Sequence, residues 1–405
     1  MKRNVNIAVG IALATATWGV NSLYAQSPPA SIPIGPIFAY PELGLAVRRD
    51  SNIALQPEAT RRADTITYLR PAVRFEAKQG PSLYEIGYRG DYGRYHTQTM
   101  DNFENHDLFA NAFLTLDARN YLKLNGQYQD RVDPPGTLNI GATLTPSEWR
   151  QRSGSALYTF GAQDAQGKIE LEAGALNKRY VNNRFATSAL DHVRRDYGGT
   201  FLLRLQPKTF ATFTARQSAY HYLQPASTLD SKDTFYLVGA RWDATAATSG
   251  RFALGHQTKR FEDAGIAAGR TNFSGGAWEG GATWKPLTYS TLDLKAQRRT
   301  SEFTGVGDFA VNRSYQLQWT HDWTSQVTSS VSGIYSSDKF RDAPVAAAGG
   351  APRQDVTKGG GFGFSYKARR WLKFGAEYSY TTRDSNDDNL DYRRRQLMFS
   401  VSATL

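Results

Sequence analysis

Long runs in which apolar and polar residues alternate dominate the chain from Glu42 onward, and few folds accommodate them. In Leu372, Phe374, Ala376, Tyr378 and Tyr380 every second residue is apolar, while Lys373, Gly375, Glu377, Ser379 and Thr381 between them are polar or small. The split recurs in Tyr315, Leu317, Trp319 and Trp323 against Gln316, Gln318, Thr320 and Asp322. It recurs again in Leu122, Leu124, Gly126 and Tyr128 against Lys123, Asn125, Gln127 and Gln129. Successive side chains of a strand point to opposite faces, so each run predicts a strand with one apolar and one polar face. The runs hold for roughly ten to fifteen residues, enough at a tilt of about 45° to cross a hydrocarbon core.

Punctuation between the runs is regular. Tight turns are expected near Gln79-Gly80-Pro81, Asp117-Ala118-Arg119, Asp164 to Gly167, Gln206-Pro207-Lys208, Ala246 to Gly250, Lys285-Pro286, Thr324-Ser325 and Ala368-Arg369. Longer polar loops are expected near 50–64, 94–103, 131–149, 180–191, 221–233, 262–271, 301–311, 338–355 and 382–392. Tight turns recur about every 40 residues, the length of two spanning strands with one turn and one loop. A propeller blade has a similar period but uses four strands of about five residues, too short for these runs. The fold predicted is an all-β, antiparallel up-and-down transmembrane barrel of about 18 strands (16 to 18), with the long loops outside. A mean hydropathy of −0.51 with 13% aromatic residues suits strands that are apolar on one face only.

The ends of the chain fit export to an outer membrane. Lys2 and Arg3, the apolar run Ile7 to Trp18 and the small-residue site Leu23-Tyr24-Ala25 read as a cleavable signal peptide over 1–25. Residues 26–41 carry Pro28, Pro29, Pro33, Pro36 and Pro41 and read as an extended periplasmic lead-in, with the barrel over 42–405. The chain has no cysteine, which removes a lipid-anchoring cysteine and any thiolate metal site. In the last run Leu397, Phe399, Val401, Ala403 and Leu405 form an apolar face against Met398, Ser400, Ser402 and Thr404. Phe399, Val401, Ala403 and Leu405 are the expected signal for the barrel assembly machinery. Leu405 stands where Phe or Tyr is usual.

Three stretches carry a family resemblance: Pro41-Glu-Leu-Gly-Leu-Ala-Val-Arg-Arg-Asp-Ser-Asn, Glu377-Tyr-Ser-Tyr-Thr-Thr-Arg-Asp-Ser-Asn and Asp391-Tyr-Arg-Arg-Arg-Gln-Leu-Met-Phe-Ser-Val-Ser. They resemble the EpsL-like, porin-type outer-membrane β-barrels encoded in bacterial exopolysaccharide operons. The likeness is one of pattern over most of 41–405. It implies a Gram-negative outer-membrane conduit for polysaccharide export and brings no catalytic residues.

If the polar faces line a lumen, that lumen carries Arg48, Arg74, Arg89, Lys123, Arg131, Lys178, Arg204, Arg216, Arg241, Arg251, Lys259, Lys295, Arg299 and Lys373. The acids expected there are Glu42, Glu76, Glu85, Glu170, Glu172, Glu279, Asp293, Asp322 and Glu377. Excess cations attract anionic solutes such as uronate-bearing glycans. Cross-strand ion pairing that merely solvates the wall is the alternative. Tyr180, Tyr220 and Tyr222 are candidates to stack on sugar rings, although most aromatics of a barrel form its interfacial girdles. The clusters Arg194-Arg195 and Arg393-Arg394-Arg395, at outer strand ends, are candidates for lipopolysaccharide phosphates. The partners expected are lipid, lipopolysaccharide, the assembly machinery, anionic polysaccharide and periplasmic export proteins. Dispersed basic charge without a recognition motif argues against nucleic acid.

An enzyme would draw on His96, His106, His192, His221, His256 and His321, the first four near outer strand ends. No Ser/His/Asp ordering and no His-Glu-x-x-His spacing accompanies them, so neither catalysis, a metal nor a cofactor is expected. The reading of a different class is a structural or adhesive barrel whose loops bind a partner or a surface glycan.

Overall fold

A computed structural model of the chain describes residues 31–138, 145–243, 247–302, 305–345 and 349–404. The expected signal peptide, Gln26 to Ala30 of the lead-in, and Leu405 lie outside the described residues.

A short β1 (Ile32–Ile34) precedes β2 (Ile37–Asp50), β3 (Asp64–Gln79), β4 (Ser82–Tyr95), β5 (Phe103–Thr115), β6 (Asn120–Asp133) and β7 (Ser147–Phe160). Then follow β8 (Gly167–Tyr180), β9 (His192–Gln206), β10 (Thr209–Tyr222), β11 (Ser231–Trp242), β12 (Thr248–Phe261) and β13 (Phe273–Leu287). The last are β14 (Ser290–Ser301), β15 (Phe309–Asp322), β16 (Val327–Val345), β17 (Ala351–Arg369), β18 (Leu372–Ser385) and β19 (Tyr392–Thr404). Each pairs antiparallel with its neighbour in sequence, and β19 pairs with β2 from Gln396↔Asp50 to Thr404↔Glu42. β2 to β19 thus form a closed 18-strand barrel. Closure is the only way for strands to cross a bilayer, because an open edge in hydrocarbon leaves N–H and C=O groups unsatisfied at several kcal/mol each.

The register fixes the size. Directly opposed partners traced once around the wall return to β2 about 22 residues further along. With a rise of about 3.3 Å and a spacing of about 4.8 Å, 18 strands of that shear tilt by about 40° around a backbone radius of about 18 Å. A barrel of that size leaves room for an aqueous channel.

Eight of the connections lie at one end and are turns of two to six residues, and nine lie at the other, most of them longer, in the alternation that the sequence predicts. Four boundaries differ. Lys285-Pro286 is part of β13, where the register shifts between Trp284 and Leu287, and the turn falls at Thr288-Tyr289. Proline donates no N–H, and a bulge is one of the few places a strand tolerates it. The turn placed at Ala368-Arg369 falls at Arg370-Trp371, and β12 already begins at Thr248. The stretch 338–355 is not one long loop: β16 continues to Val345 and β17 starts at Ala351, so their 19-residue strands exceed the others.

The lead-in also differs from the expectation. Gly35, with a φ of +60°, and Pro36 turn β1 back onto β2, and Ile32 lies opposite Ala39. This edge of β2 is the one that β19 leaves below Glu42, so β1 satisfies backbone groups that β19 does not reach. Strand structure therefore begins at Ile32, and the barrel wall at Ile37 rather than at residue 42.

Candidate functional site

Leu43, Leu45 and Val47 of β2, Phe252 and Leu254 of β12 and Leu397 and Phe399 of β19 are all exposed on one face of the wall. Side chains on the convex face of a cylinder diverge, and those on the concave face converge. Arg241 of β11 reaches Glu170 of β8 at 2.7 Å, and Arg216 of β10 reaches Glu279 of β13 at 2.6 Å, each spanning two intervening strands. The charged face is therefore the inner one, and the apolar face points outward. Val401 and Ala403 of β19 continue the outward face of Leu397 and Phe399.

Around the long-loop end the inner face is lined by densely packed ion-pair clusters. Lys259, 1% exposed, lies 2.6 Å from Glu302 and 3.3 Å from Asp233, over the rings of Tyr220 and Phe261. Tyr222 donates to the same Glu302, and Thr300 to Asp233. Lys178 lies over Trp149 at 4.2 Å and pairs with Asp133, which also accepts from Tyr180 and the Trp149 indole. Arg353 pairs with Asp355 and lies over Phe340. At the seam Asp50, fully buried, accepts from Arg394 and Gln396 of β19, and Asn52 donates to the Arg393 carbonyl. Ala46, Ile53, Ile66, Tyr68, Tyr95 and Met398 pack beside that seam. The loops lean on one another here. Gly136, at a φ of +77°, sits where an added Cβ would be 2.0 Å from the Ala54 carbonyl oxygen, and Arg270 pairs with Asp308.

Toward the tight-turn end the inner face is a charged belt. Arg74 bridges Glu76 and Glu85 at 2.8 and 3.0 Å and lies over Tyr40. Arg89 lies over Phe109 at 4.6 Å and Lys123 over Phe113 at 5.5 Å. Lys168 and Arg204 share the ring of Phe210 at 5.4 and 5.2 Å. None of these last four cations has a carboxylate within 4.0 Å among the described residues. Arg251, Lys295, Arg299 and Lys373 alternate with outward apolar neighbours in β12, β14 and β18, and so take the inner face too. The arc from β15 to β19 carries fewer charges, with Gln318, Ser332, Gly361, Ser379 and Ser402 at inner positions beside Lys373 and Glu377.

The predicted cations thus divide between the two levels. Arg48, which pairs with Asp50 at 3.9 Å, Arg131, which pairs with Asp107, Lys178 and Lys259 join the packed mouth or its border. What the alternation missed is the set of inner acids Asp50, Asp107, Asp133, Asp196, Asp233 and Asp355, which sit toward the long-loop ends of strands, several within stretches assigned to loops. The expected excess of positive charge is correspondingly smaller. A signal was present: Arg48-x-Asp50, Arg74-x-Glu76, Arg194-x-Asp196 and Arg353-x-Asp355 place opposite charges two residues apart, on one face of a strand.

Two further expectations are corrected. Tyr180 and Tyr222 are buried and hydrogen-bonded to carboxylates, and Tyr220 packs against the cluster around Tyr222, so they are not open platforms for sugars. Arg194 and Arg394 turn inward to Asp196 and Asp50, because they share the parity of the inner face. Only Arg195, Arg393 and Arg395 of those clusters are exposed on the outside. The histidines are dispersed: His96 meets Thr67, His106 meets Tyr88, His192 meets the Leu190 carbonyl, and His321 packs between Trp319 and Trp323. His221 meets Asp230 at 2.5 Å and His256 meets Ser274 at 2.8 Å, and these two pairs share no member. Among the described residues no group of three or more His, Asp or Glu side chains is arranged to hold a metal.

Several solved proteins of Pseudomonas aeruginosa have a similar fold. OccK2 (OpdF) in complex with glucuronate is 10% identical with a TM-score of 0.51, covering 91% of this chain and 98% of that one. OpdQ is 14% identical with a TM-score of 0.50, covering 92% and 100%. The outer membrane protein opdK is 12% identical with a TM-score of 0.50, covering 91% and 99%. No curated protein matches the chain. The family described as "Putative beta-barrel porin 2" matches residues 27–405. With its closed barrel and charged inner wall, the chain belongs to that porin family.

Proposed function

We propose that the barrel is a passive, non-catalytic conduit through which an anionic, hydrophilic solute crosses the outer membrane, and that this solute is an exported acidic polysaccharide. The observation that carries the reading is the inner wall, where Arg89, Lys123, Lys168 and Arg204 stand without a carboxylate partner among the described residues inside a barrel of about 18 Å backbone radius. Cations on the low-dielectric wall of a water-filled pore raise the local concentration of anions. The polysaccharide rests on the resemblance of 41–52, 377–386 and 391–402 to barrels of exopolysaccharide operons. That OccK2 was solved with glucuronate, a uronic acid, agrees with the choice of an anionic sugar.

Short periplasmic turns and long outer loops are the rule for bacterial barrels. On that rule the packed mouth faces outside and the belt lies nearer the periplasm, where a signal peptide over 1–25 delivers the chain. Phe399, Val401, Ala403 and Leu405 then serve the assembly machinery. Arg195, Arg393 and Arg395 face lipopolysaccharide phosphates, and periplasmic export proteins deliver the polymer. Deleting the gene and measuring secreted acidic polysaccharide tests the reading, together with swelling of liposomes that carry the purified barrel. Secretion should fall and return on complementation, and the liposomes should admit small saccharides. Unchanged secretion with impermeant liposomes would contradict it. The adhesive alternative has one observation of its own, the contact of Gly136 with Ala54 across two loops of the mouth, and it predicts that impermeant outcome.

A further inference from the structure

We propose that three inner-wall pairings, Arg89 on Phe109, Lys123 on Phe113 and Lys168 with Arg204 on Phe210, are recognition stations for a uronate-bearing saccharide. The inference rests on the conduit reading and deepens it. Phe109, Phe113 and Phe210 are only half-buried, although they sit on the inner, polar face of the wall. A phenyl ring on a wetted wall loses the stabilisation that burial would give it. A pore for simple ions needs no such ring. Nor does a ring need a cation above it at 4.6 to 5.5 Å to fill space.

A sugar acid uses both groups at once. The axial C–H bonds of a pyranose present a weakly positive, apolar face that matches the negative face of an aromatic ring. Its carboxylate, held at the edge of the same sugar, accepts charge-assisted hydrogen bonds from the ammonium or guanidinium that lies over that ring, while the sugar packs on the part of the ring the cation leaves open. At Phe109 and Phe113 a neutral glycan would engage the ring and leave Arg89 or Lys123 without a carboxylate, and a small inorganic anion would do the reverse. At Phe210 a uronate would share donors with the turn between β7 and β8, because Lys168 and Arg204 both donate to the Gln163 carbonyl and Arg204 also to that of Ala165. At the mouth Lys178 and Lys259 also lie on rings, but there Asp133, Asp233 and Glu302 already take the place a uronate would occupy. The stations lie on β4 to β10, facing an arc on β15 to β19 that is richer in serine and glycine, so the polymer would be read along one side of the channel.

The test uses the purified full chain in planar bilayers, with oligogalacturonate and maltodextrin of equal length as blockers of the open-channel current. Oligogalacturonate should block at a concentration about tenfold lower, the effect of one charge-assisted hydrogen bond. The combined variant Phe109→Leu, Phe113→Leu, Phe210→Leu should lose most of that preference. Should it fail to show the heat-dependent gel shift of a folded barrel, the single variants Phe109→Leu and Phe210→Leu carry the comparison, each expected to weaken block by oligogalacturonate. Equal block by the two saccharides in a conducting wild type would overturn the stations and leave the conduit standing. A preference that survives the leucine variants would overturn the role of the rings. A wild type that carries no current would overturn the conduit reading and the stations with it.

Discussion

The mouth and the belt of this barrel use the same pair of side chains, a cation laid over an aromatic ring, with opposite results. At the mouth Lys178 over Trp149 and Lys259 over Phe261 are each joined by a carboxylate, and Lys259 is closed off from solvent. In the belt Arg89, Lys123, Lys168 and Arg204 keep the ring and lack the acid among the described residues. A buried charge is tolerated only when it is paired, so the mouth completes its charge pairs internally and becomes a rigid collar. A charge facing the lumen has no such requirement: Arg89 and Lys123 are left to a passing ligand, while Lys168 and Arg204 donate to backbone carbonyls of the β7–β8 turn and have no acid beside them. One carboxylate separates a structural cluster from a candidate binding surface.

The largest effect should come from breaking a pair in the collar. Lys259→Met strands Asp233 and Glu302 in a site where the lysine was 1% exposed. It should lower stability by about 3–5 kcal/mol in denaturant unfolding of the detergent-solubilised barrel. Asp50→Ala comes next. It leaves Arg394 without its buried partner and releases the β2–β19 seam at its outer end, with an expected loss of about 3 kcal/mol and faster amide exchange confined to that seam. If either change proved neutral, the collar would not be held by its ion pairs. In the belt Lys123→Gln should leave stability within about 0.5 kcal/mol, as a change outside any buried network does, while the preference of the current for anions falls. A stability loss like that of Lys259→Met would erase the distinction between the two levels.

The smallest effect lies outside both, in the turn between β5 and β6. The backbone N–H of Arg119 and the side chain and backbone of Asn120 donate to Asp117 and hold its carboxyl below the ordinary range. A lowered folded-state pKa gives stability that is present above the unfolded value and lost as the pH falls through the folded one. Asp117→Asn should therefore reduce the acid sensitivity of the β5–β6 hairpin, read as a smaller change in its amide exchange between pH 6 and pH 3. Equal pH dependence in the two proteins would remove this contribution.

Alternation made the barrel legible, because a two-residue period survives every strand regardless of which apolar residue carries it. The tight turns at Gly80 and Pro207 were legible for the same local reason, and so was the parity of Arg74, Arg89, Lys123 and Lys373. The collar was not. Its acids Asp50, Asp133 and Asp233 stand at strand ends, where pattern gives way to polar loop composition, and their partners come from strands that only closure brings near. Arg394 meets Asp50 across 344 residues of chain. The belt's rings were hidden in another way. Phe109, Phe113 and Phe210 read as ordinary strand residues until the register turned them inward beside a cation.

The zero-current potential of the purified barrel under a potassium chloride gradient tests the central claim most directly, since it reports whether the wall is a wetted cationic path. A conducting barrel whose potential shows a preference for chloride, weakened in Lys123→Gln, is the result predicted. A preference for potassium, or a folded barrel that passes no current, would contradict the account.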